Sequence, residues 1–441
     1  MAAVLIAILS LTVLGIPIAL ALDRGARGPL LIGTAFLYGS GAVFLILLFV
    51  PMTLVAVTVA GLLVFVGCSL FVVLRTRPTT NDERRTLHVI DLATLISLAT
   101  YATYATLAPL WEWDFWAIWG LKARVFLEHG GIDWRFLESR WNAFTHPDYP
   151  LLVPLNFDFV ALIGGGWSDR WLGILFVAYA VALLLVARAL AARETSALFA
   201  ALLAFLLSWI ATSRFIGLAE GALIAFGGAA VLFIRDALRR DDAVSWRHGA
   251  VFLGLAANCK NEGLALLVAV TIAILVLMWG GFSNPPGRAK SPSHIVRLWP
   301  SYALAMPWLI LRAWHSLGSD IAGSHAAARL AARLPFTLQI LGYLATKLYH
   351  PWFWIAILVG VMIIKPKRER FVLLVTAIQV VFYIGSYFVT PYDVRWHIGT
   401  SWPRLTEQIA VPITFVVFLA LAEIISHRDD ARDAEARSEQ Q

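Results

Sequence analysis

Two acidic residues, Glu112 and Asp114, lie among four tryptophans in the segment WEWDFWAIW at residues 111–119. A carboxylate that is partly removed from water has a raised pKa, and such a group suits the abstraction of a proton from a hydroxyl. We therefore expect Asp114 to be a catalytic base with a raised pKa. The alternative is that the tryptophans form only an aromatic belt at a membrane interface.

A second group of polar residues occurs in the segment HPDYP, where Asp148 and Tyr149 stand between two prolines and follow His146. Proline fixes its own backbone and restricts the residue before it, so the segment predicts a rigid turn into a helix. Asp148 could cap that helix, or it could act beside Asp114 as a second acid. The two roles can coexist.

A third group, Lys260 and Glu262 in the sequence NCKNEG, interrupts the apolar stretch 250–278. Ionisable residues inside a membrane segment are costly, and they mark functional sites by default. We expect a functional lysine, a mutually neutralising structural pair or a turn at the cytoplasmic edge at this break. Arg214 and Glu220 bracket a short turn between two apolar runs and predict a similar, weaker pair.

A fourth group begins at Tyr392 and ends with the sequence SWPRL, which contains Arg404. We expect Arg404 near the N-terminus of the last helix, where the helix dipole favours anions and a guanidinium binds phosphate through two hydrogen bonds. Arg395, His397 and Lys260 are further candidates for binding the same phosphate. The alternative is that Arg395 and Arg404 are interface residues paired with Asp393 and Glu407.

The composition limits the kind of chain that must position these residues. Of 441 residues, 60% are hydrophobic and 14% are charged, which excludes an ordinary soluble domain. The two cysteines lie in apolar segments and form no disulfide or metal motif. The net charge of +7 comes from basic residues clustered in loops, as in membrane proteins, so we expect no nucleic-acid partner.

Long apolar runs predict an all-α, polytopic transmembrane bundle of about 11–13 spans. The predicted spans are 2–22, 29–50, 52–74, 91–110, 171–190, 197–213, 217–238, 297–313, 351–364, 371–390 and 408–426. Two further stretches stay open at this point. The stretch 151–164 is short for a crossing, and 250–278 is either one long helix or two half helices that meet at a polar break.

Basic loops predict the orientation of the bundle, because arginine and lysine are enriched in cytoplasmic loops. Four such loops, 75–85, 235–247, 288–297 and 365–370, are expected inside. The longer stretches 111–150, 315–350 and 391–408 then lie on the outer face. Within the first of these, Trp116, Trp119, Lys122 and Arg124 predict a helix along the interface with its apolar face down.

Motifs of soluble enzymes are missing from the sequence: it has no GxxxxGK[ST], HExxH, GxSxG or helix-opening GxGxxG. ATP-driven transport and serine hydrolysis are therefore disfavoured. What the sequence does contain, in order, is an acid after an early helix, a His-Pro turn, a lysine-bearing break and an arginine before a final apolar run.

In this order the four groups resemble the GT-C superfamily of membrane glycosyltransferases, which includes protein O-mannosyltransferases and the aminoarabinose transferase of lipid A. The resemblance covers residues 91–426 as a catalytic region, preceded by N-terminal helices in 1–90 and followed by a polar cytoplasmic tail in 427–441. It departs from the family in two respects. Asp148 and Tyr149 replace the more usual second proline, and three extra spans precede the region.

The resemblance implies transfer of a sugar from a polyprenyl-phosphate carrier to a hydroxyl of a glycan, lipid or protein acceptor, on the non-cytoplasmic face. It implies Asp114 as the base and Arg404, Arg395, His397 and Lys260 as ligands of the donor phosphate. The candidates for a second acid or an acceptor contact are Glu112, His146, Asp148, Tyr149 and Glu220. A divalent metal cofactor stays open, and a bacterial plasma membrane is the expected location. The alternative function is a secondary transporter or flippase for a lipid-linked or anionic substrate.

Overall fold

The computed structural model describes residues 1–74, 88–279, 293–319, 325–364 and 367–439, and these residues form helices without a β-strand. The predicted basic loop 75–85 and parts of the loops 288–297 and 365–370 lie outside the described residues. The helices are α1 (Ala2–Leu22), α2 (Gly28–Phe49), α3 (Leu54–Leu74), α4 (Val89–Leu107), α5 (Gly120–His129), α6 (Trp134–Glu138), α7 (Leu152–Gly164), α8 (Ile174–Ala191), α9 (Ala197–Ala211), α10 (Glu220–Arg240), α11 (Ala243–Ala256), α12 (Asn261–Trp279), α13 (Ser293–Val296), α14 (Trp299–Trp314), α15 (Ala326–Arg333), α16 (Thr337–Thr346), α17 (Pro351–Ile364), α18 (Arg370–Val389) and α19 (Val394–Glu439).

Nine of the described helices are long and apolar enough to cross a membrane, or ten if the bent pair α15–α16 and α17 counts as one span. This confirms the prediction of an all-α, multi-pass membrane protein. The number of candidate spans is below the predicted 11–13 because four of the helices have only 14 to 16 residues each: α9, α11, α14 and α17. The last helix also differs from prediction, since it continues to Glu439 through most of the segment expected to be a solvated tail.

Ion pairs gather several helix ends at one end of the bundle, which we call the basic end. Arg188 near the end of α8 binds Asp91 at the start of α4, with Nη2 2.7 Å from Oδ2. Arg235 of α10 binds Glu194 and Glu369, each at 2.5 Å. Helices joined to the predicted cytoplasmic loops therefore meet here.

The short apolar stretch 151–164 does not cross the bundle. Leu110 N, beyond the end of α4, donates to Asp169 O, ahead of α8, at 3.1 Å. Because Arg188 and Asp91 pair at the basic end, α4 and α8 are antiparallel, and the whole segment between them starts and finishes at the opposite end. The helix α7 in this segment is thus a buried, non-crossing helix, and Arg188 lies at the basic end as its charge predicts.

The uncertain stretch 250–278 forms two helices that meet at the predicted polar break. Lys260 pairs with Glu220 at the start of α10, and Leu266 packs against Gly227 one to two turns later, so α12 runs parallel to α10. The preceding helix α11 runs antiparallel to α10, since Ser245 near its start binds Asp236 near the end of α10 at 2.7 Å. The chain therefore reverses at residues 257–260.

Close helix contacts at small residues hold this architecture together, as is usual in membrane bundles. A Cβ atom on Gly39 of α2 would lie 2.6 Å from the backbone carbon of Leu11 of α1, so only glycine permits this crossing. The helices α1 and α2 share one hydrophobic core with α7, α8 and α10. The N-terminal region, whose role the sequence left unexplained, supports the region that carries the predicted site.

Candidate functional site

A cavity with two adjoining lobes opens at the end of the bundle opposite the basic end. The first lobe has a volume of about 700 Å³ and the second about 470 Å³. Tyr149, Lys260, His397 and Arg404 line both lobes and so mark their junction. The first lobe is further lined by Glu112, Trp113, Asp114, Ile118, Phe144, His146, Phe215, Leu218, Tyr392, Trp396 and Thr400. The second is further lined by Asn261, Glu262, Leu264, Ala265, Arg312, Ser319, Phe382, Tyr383, Ser386, Ser401 and Leu405.

Asp114 is positioned by a change of backbone conformation after α4. One π-helical turn, Phe115–Trp119, follows it and leads directly into α5. This turn buries Phe115 and Trp119, while Trp113 on the other side stays 75% exposed. Asp114 is thus held between a buried anchor and the mouth of the first lobe.

The predicted interfacial helix is only partly correct. Trp116 and Arg124 are exposed, but Trp119 and Lys122 are buried in the protein. Lys122 Nζ donates to His146 O at 2.6 Å, and burial lowers the pKa of Lys122 to about 7. The helix α5 therefore packs inside the protein, where Lys122 stabilises the HPDYP turn, and does not lie free on a membrane surface.

The Asp114 carboxylate accepts a hydrogen bond from Arg404 Nη1, which joins the first and last predicted motifs. Burial by itself would raise the pKa of Asp114, but the Arg404 guanidinium, with Lys260 and His146 farther away, lowers it below its ordinary value. The prediction of a raised pKa was wrong, because no local pattern around Asp114 indicates that a cation contacts this acid. The pKa of nearby Glu112 is raised, chiefly by burial.

A row of alternating charges runs inward from this pair. Arg404 Nε lies 3.8 Å from Glu220 Oε1, and the same oxygen lies 3.0 Å from Lys260 Nζ. Lys260 also contacts Glu262 at 2.8 Å. The predicted pair of Arg214 with Glu220 is not formed, because the Arg214 guanidinium lies over the ring of Tyr349 at 3.6 Å and bonds its hydroxyl.

The HPDYP turn places His146 and Tyr149 in the wall of the first lobe. His146 has a φ of 50°, a left-handed conformation that non-glycine residues seldom adopt. Its ring stacks on Tyr149 at 4.7 Å, and Tyr149 stacks on buried Trp119 at 5.5 Å. The bond from Lys122 to the His146 carbonyl holds this strained residue in place.

Asp148 lies outside the residues that line the cavity. Its Oδ2 accepts a hydrogen bond from Asn261 at 2.8 Å and lies 3.6 Å from Arg312. Of its two possible roles, capping of α7 was wrong, since Leu151 precedes α7 and provides no side-chain cap. Asp148 instead joins the turn to the break between α11 and α12.

The last helix begins earlier than predicted, at Val394, so Arg404 lies ten residues inside it and not at its N-terminus. Pro403 lies inside this helix and does not mark its start, although proline is more common in the first turn of a helix. His397 lines both lobes, whereas exposed Arg395 lines neither. The alternative pairing of Arg404 with Glu407 is not the one formed, because Glu407 accepts from Ser213 Oγ at 2.7 Å.

Several residues of the cavity had no signal in the sequence analysis. Arg312 was visible only as an arginine near the end of a predicted span, and Tyr383 lies inside one. Arg333 of α15 supports the rim, because it donates to Thr390 O at 2.6 Å and to Tyr392 O at 3.2 Å. No motif in the sequence analysis pointed to that support.

The charged residues of the cavity do not form a metal centre by themselves. Throughout the described part of the chain, His, Cys, Asp and Glu residues nowhere gather in a group of three suited to a metal ion. The sequence left a divalent metal cofactor open, and the described residues do not decide it. In comparisons with known proteins, no family model, curated protein or solved structure matches this chain.

Proposed function

We propose that this chain is an integral membrane glycosyltransferase of the GT-C type, which moves a sugar from a polyprenyl-phosphate carrier to an acceptor hydroxyl. The observation that carries the proposal is the convergence of Asp114, Arg404 and Lys260 on one cavity at the end of the bundle opposite the basic end. A carboxylate to take a proton and cations to hold a phosphate are what this reaction needs.

The two lobes suit the two parts of the donor. The second lobe has apolar walls from Leu264, Phe382 and Leu405 between helices that are apolar enough to span a membrane. It therefore suits the lipid chain, with the phosphate at the junction beside Arg404 and Lys260. The first lobe has aromatic and acidic walls, which suit the sugar and the acceptor.

The reaction assigns a distinct task to each side chain. Asp114 takes the proton of the acceptor hydroxyl as its oxygen attacks the anomeric carbon, and Arg404 stabilises the charge left on the carrier phosphate. Aromatic rings such as Trp113 and Trp396 at the mouth offer flat apolar faces for a sugar ring. The acceptor class, the sugar, and a plasma-membrane location with the cavity outside stay part of the proposal.

The test is a transfer assay with purified protein and a panel of radiolabelled polyprenyl-phosphate sugars. Arg404→Met should abolish transfer, while Arg395→Met, which removes an exposed arginine outside the cavity lining, should retain it. Equal loss from both variants, or equal retention, would reject the phosphate site at Arg404.

One observation favours a second function, a transporter or flippase for an anionic lipid-linked substrate. The helix hairpin α11–α12 carries buried Lys260 at its tip, and broken helices with buried charges form the substrate sites of many transporters. Movement of a labelled lipid across a liposome membrane without a covalent product would support this function in place of the first.

A further inference from the structure

Arg404 lies at the junction of the two lobes beside Lys260, and two carboxylates of the protein surround it. Its Nη1 donates to Asp114, and its Nε faces Glu220 without a hydrogen bond among the described residues. Lys260 is likewise held between Glu220 and Glu262. A phosphate that binds to Nη1 of Arg404 must therefore compete with the Asp114 carboxylate.

The carboxylates around Arg404 differ in how easily they can give way. Glu220 is fully buried at the start of α10 and is also held by Lys260 at 3.0 Å. The Asp114 side chain is 25% exposed, faces the open first lobe, and belongs to the irregular segment between α4 and the π-helical turn. Asp114 can turn into the open lobe and be solvated there, whereas Glu220 is buried and stays held by Lys260.

We propose that the phosphate of the donor displaces Asp114 from Arg404, so that binding of the donor is what releases the base. This inference rests on the proposed function. Arg404 holds Asp114 in the unliganded protein and holds the phosphate in the donor complex. The freed carboxylate then faces the first lobe, where the acceptor hydroxyl enters.

The exchange of Asp114 for the phosphate at Arg404 is consistent with the movement of charge and protons in the sugar transfer. The acceptor oxygen forms a bond to the anomeric carbon, and the bond from that carbon to the phosphate oxygen breaks with its electron pair on the phosphate. The acceptor proton goes to Asp114, while the carrier changes from a singly charged diester to a doubly charged monoester beside Arg404. Protonated Asp114 no longer competes for the guanidinium, and loss of the proton and the carrier restores the pair.

Displacement of Asp114 by the phosphate predicts a change in the affinity of the protein for the carrier. Farnesyl phosphate is the probe that measures this affinity. Asp114→Asn should bind the probe more tightly than the unmodified protein, by about tenfold to a hundredfold, because the probe no longer breaks a charge-assisted hydrogen bond. The matched control is Glu112→Gln, which removes the same charge from the same lobe without freeing Arg404. Its gain in affinity should be clearly smaller.

Equal or weaker binding by Asp114→Asn, or an equal gain in Glu112→Gln, would overturn the displacement. If Asp114→Asn and Asp114→Ala both fail to elute as single species, carboxyl labelling of the unmodified protein decides. Asp114 should react faster with a carbodiimide when farnesyl phosphate is bound, and an equal or slower reaction would reject the idea. Failure of the unmodified protein to bind the probe would instead reject the donor site itself.

Discussion

Gly263, at the tip of the α11–α12 hairpin, gives the sharpest structural prediction. A Cβ atom at this position would meet the carbonyl oxygen of Ala256 and lie 2.5 Å from its carbonyl carbon, whereas ordinary contact begins at 3.4 Å. The difference is 0.9 Å, and the obstacle is backbone, which cannot rotate away. Gly263→Ala must therefore push the two helices apart at the position that holds Lys260.

The expected cost is about 3 kcal/mol or more, at the upper end for an overpacked site, since neither partner is a flexible side chain. Gly385→Ala is the matched control, because Gly385 lies in the helix α18 with nothing within 4 Å of the added carbon. That variant should be neutral or gain about 0.5 to 1 kcal/mol from the better helix propensity of alanine.

The assay is thermal unfolding in detergent, followed by the fraction of protein that elutes as a single species. Binding of farnesyl phosphate provides a second reading, because displacement of Lys260 should weaken it in Gly263→Ala alone. If Gly263→Ala unfolds at the same temperature as Gly385→Ala, the close contact between α11 and α12 is wrong.

Three further predictions concern other parts of the chain. The pKa of Lys122 falls from 10.5 to about 7 on burial, so the unfolded chain binds more protons between these values. Stability should therefore rise with pH across this range, and the rise should be clearly smaller in Lys122→Met. An equal rise in both proteins contradicts this. A cysteine placed at exposed Trp141 should react with a membrane-impermeant reagent on intact cells, whereas one placed at Asp241 should react only after lysis. The reverse pattern would show that the orientation is opposite to the predicted one. Arg188→Met should destabilise the protein by about 3 kcal/mol, because it leaves Asp91 without its partner in a largely buried pair. Adding Asp91→Asn should recover much of this loss. A double variant that is no more stable than Arg188→Met would rule out the pairing.

Much of the architecture was predictable because long apolar runs can only be spans in a chain with 14% charged residues. The predicted acid, lysine and arginine also meet in one cavity, although Asp114 and Arg404 are 290 positions apart in sequence. Residue types and their order were sufficient to select them. The same reasoning could not tell which charges would touch.

What the sequence missed depends on contacts between distant segments. The pKa of Asp114 moves opposite to prediction because Arg404 outweighs burial. The reversal at residues 257–260 requires Gly263 to face Ala256, and no local pattern distinguishes that from a long helix. A capping role for Asp148 was one of two possibilities because its position suited one, yet Asn261 and Arg312 hold it elsewhere.

The most direct test of the proposed chemistry is transfer of label from a polyprenyl-phosphate sugar to a membrane extract, with the unmodified protein beside Asp114→Asn. Binding of farnesyl phosphate by the variant shows that its cavity is intact. We expect labelled product from the unmodified protein alone, which would join Asp114 to the reaction and identify the donor sugar. Full transfer by Asp114→Asn would contradict its role as the base, and no product from any intact donor would contradict the glycosyltransferase itself.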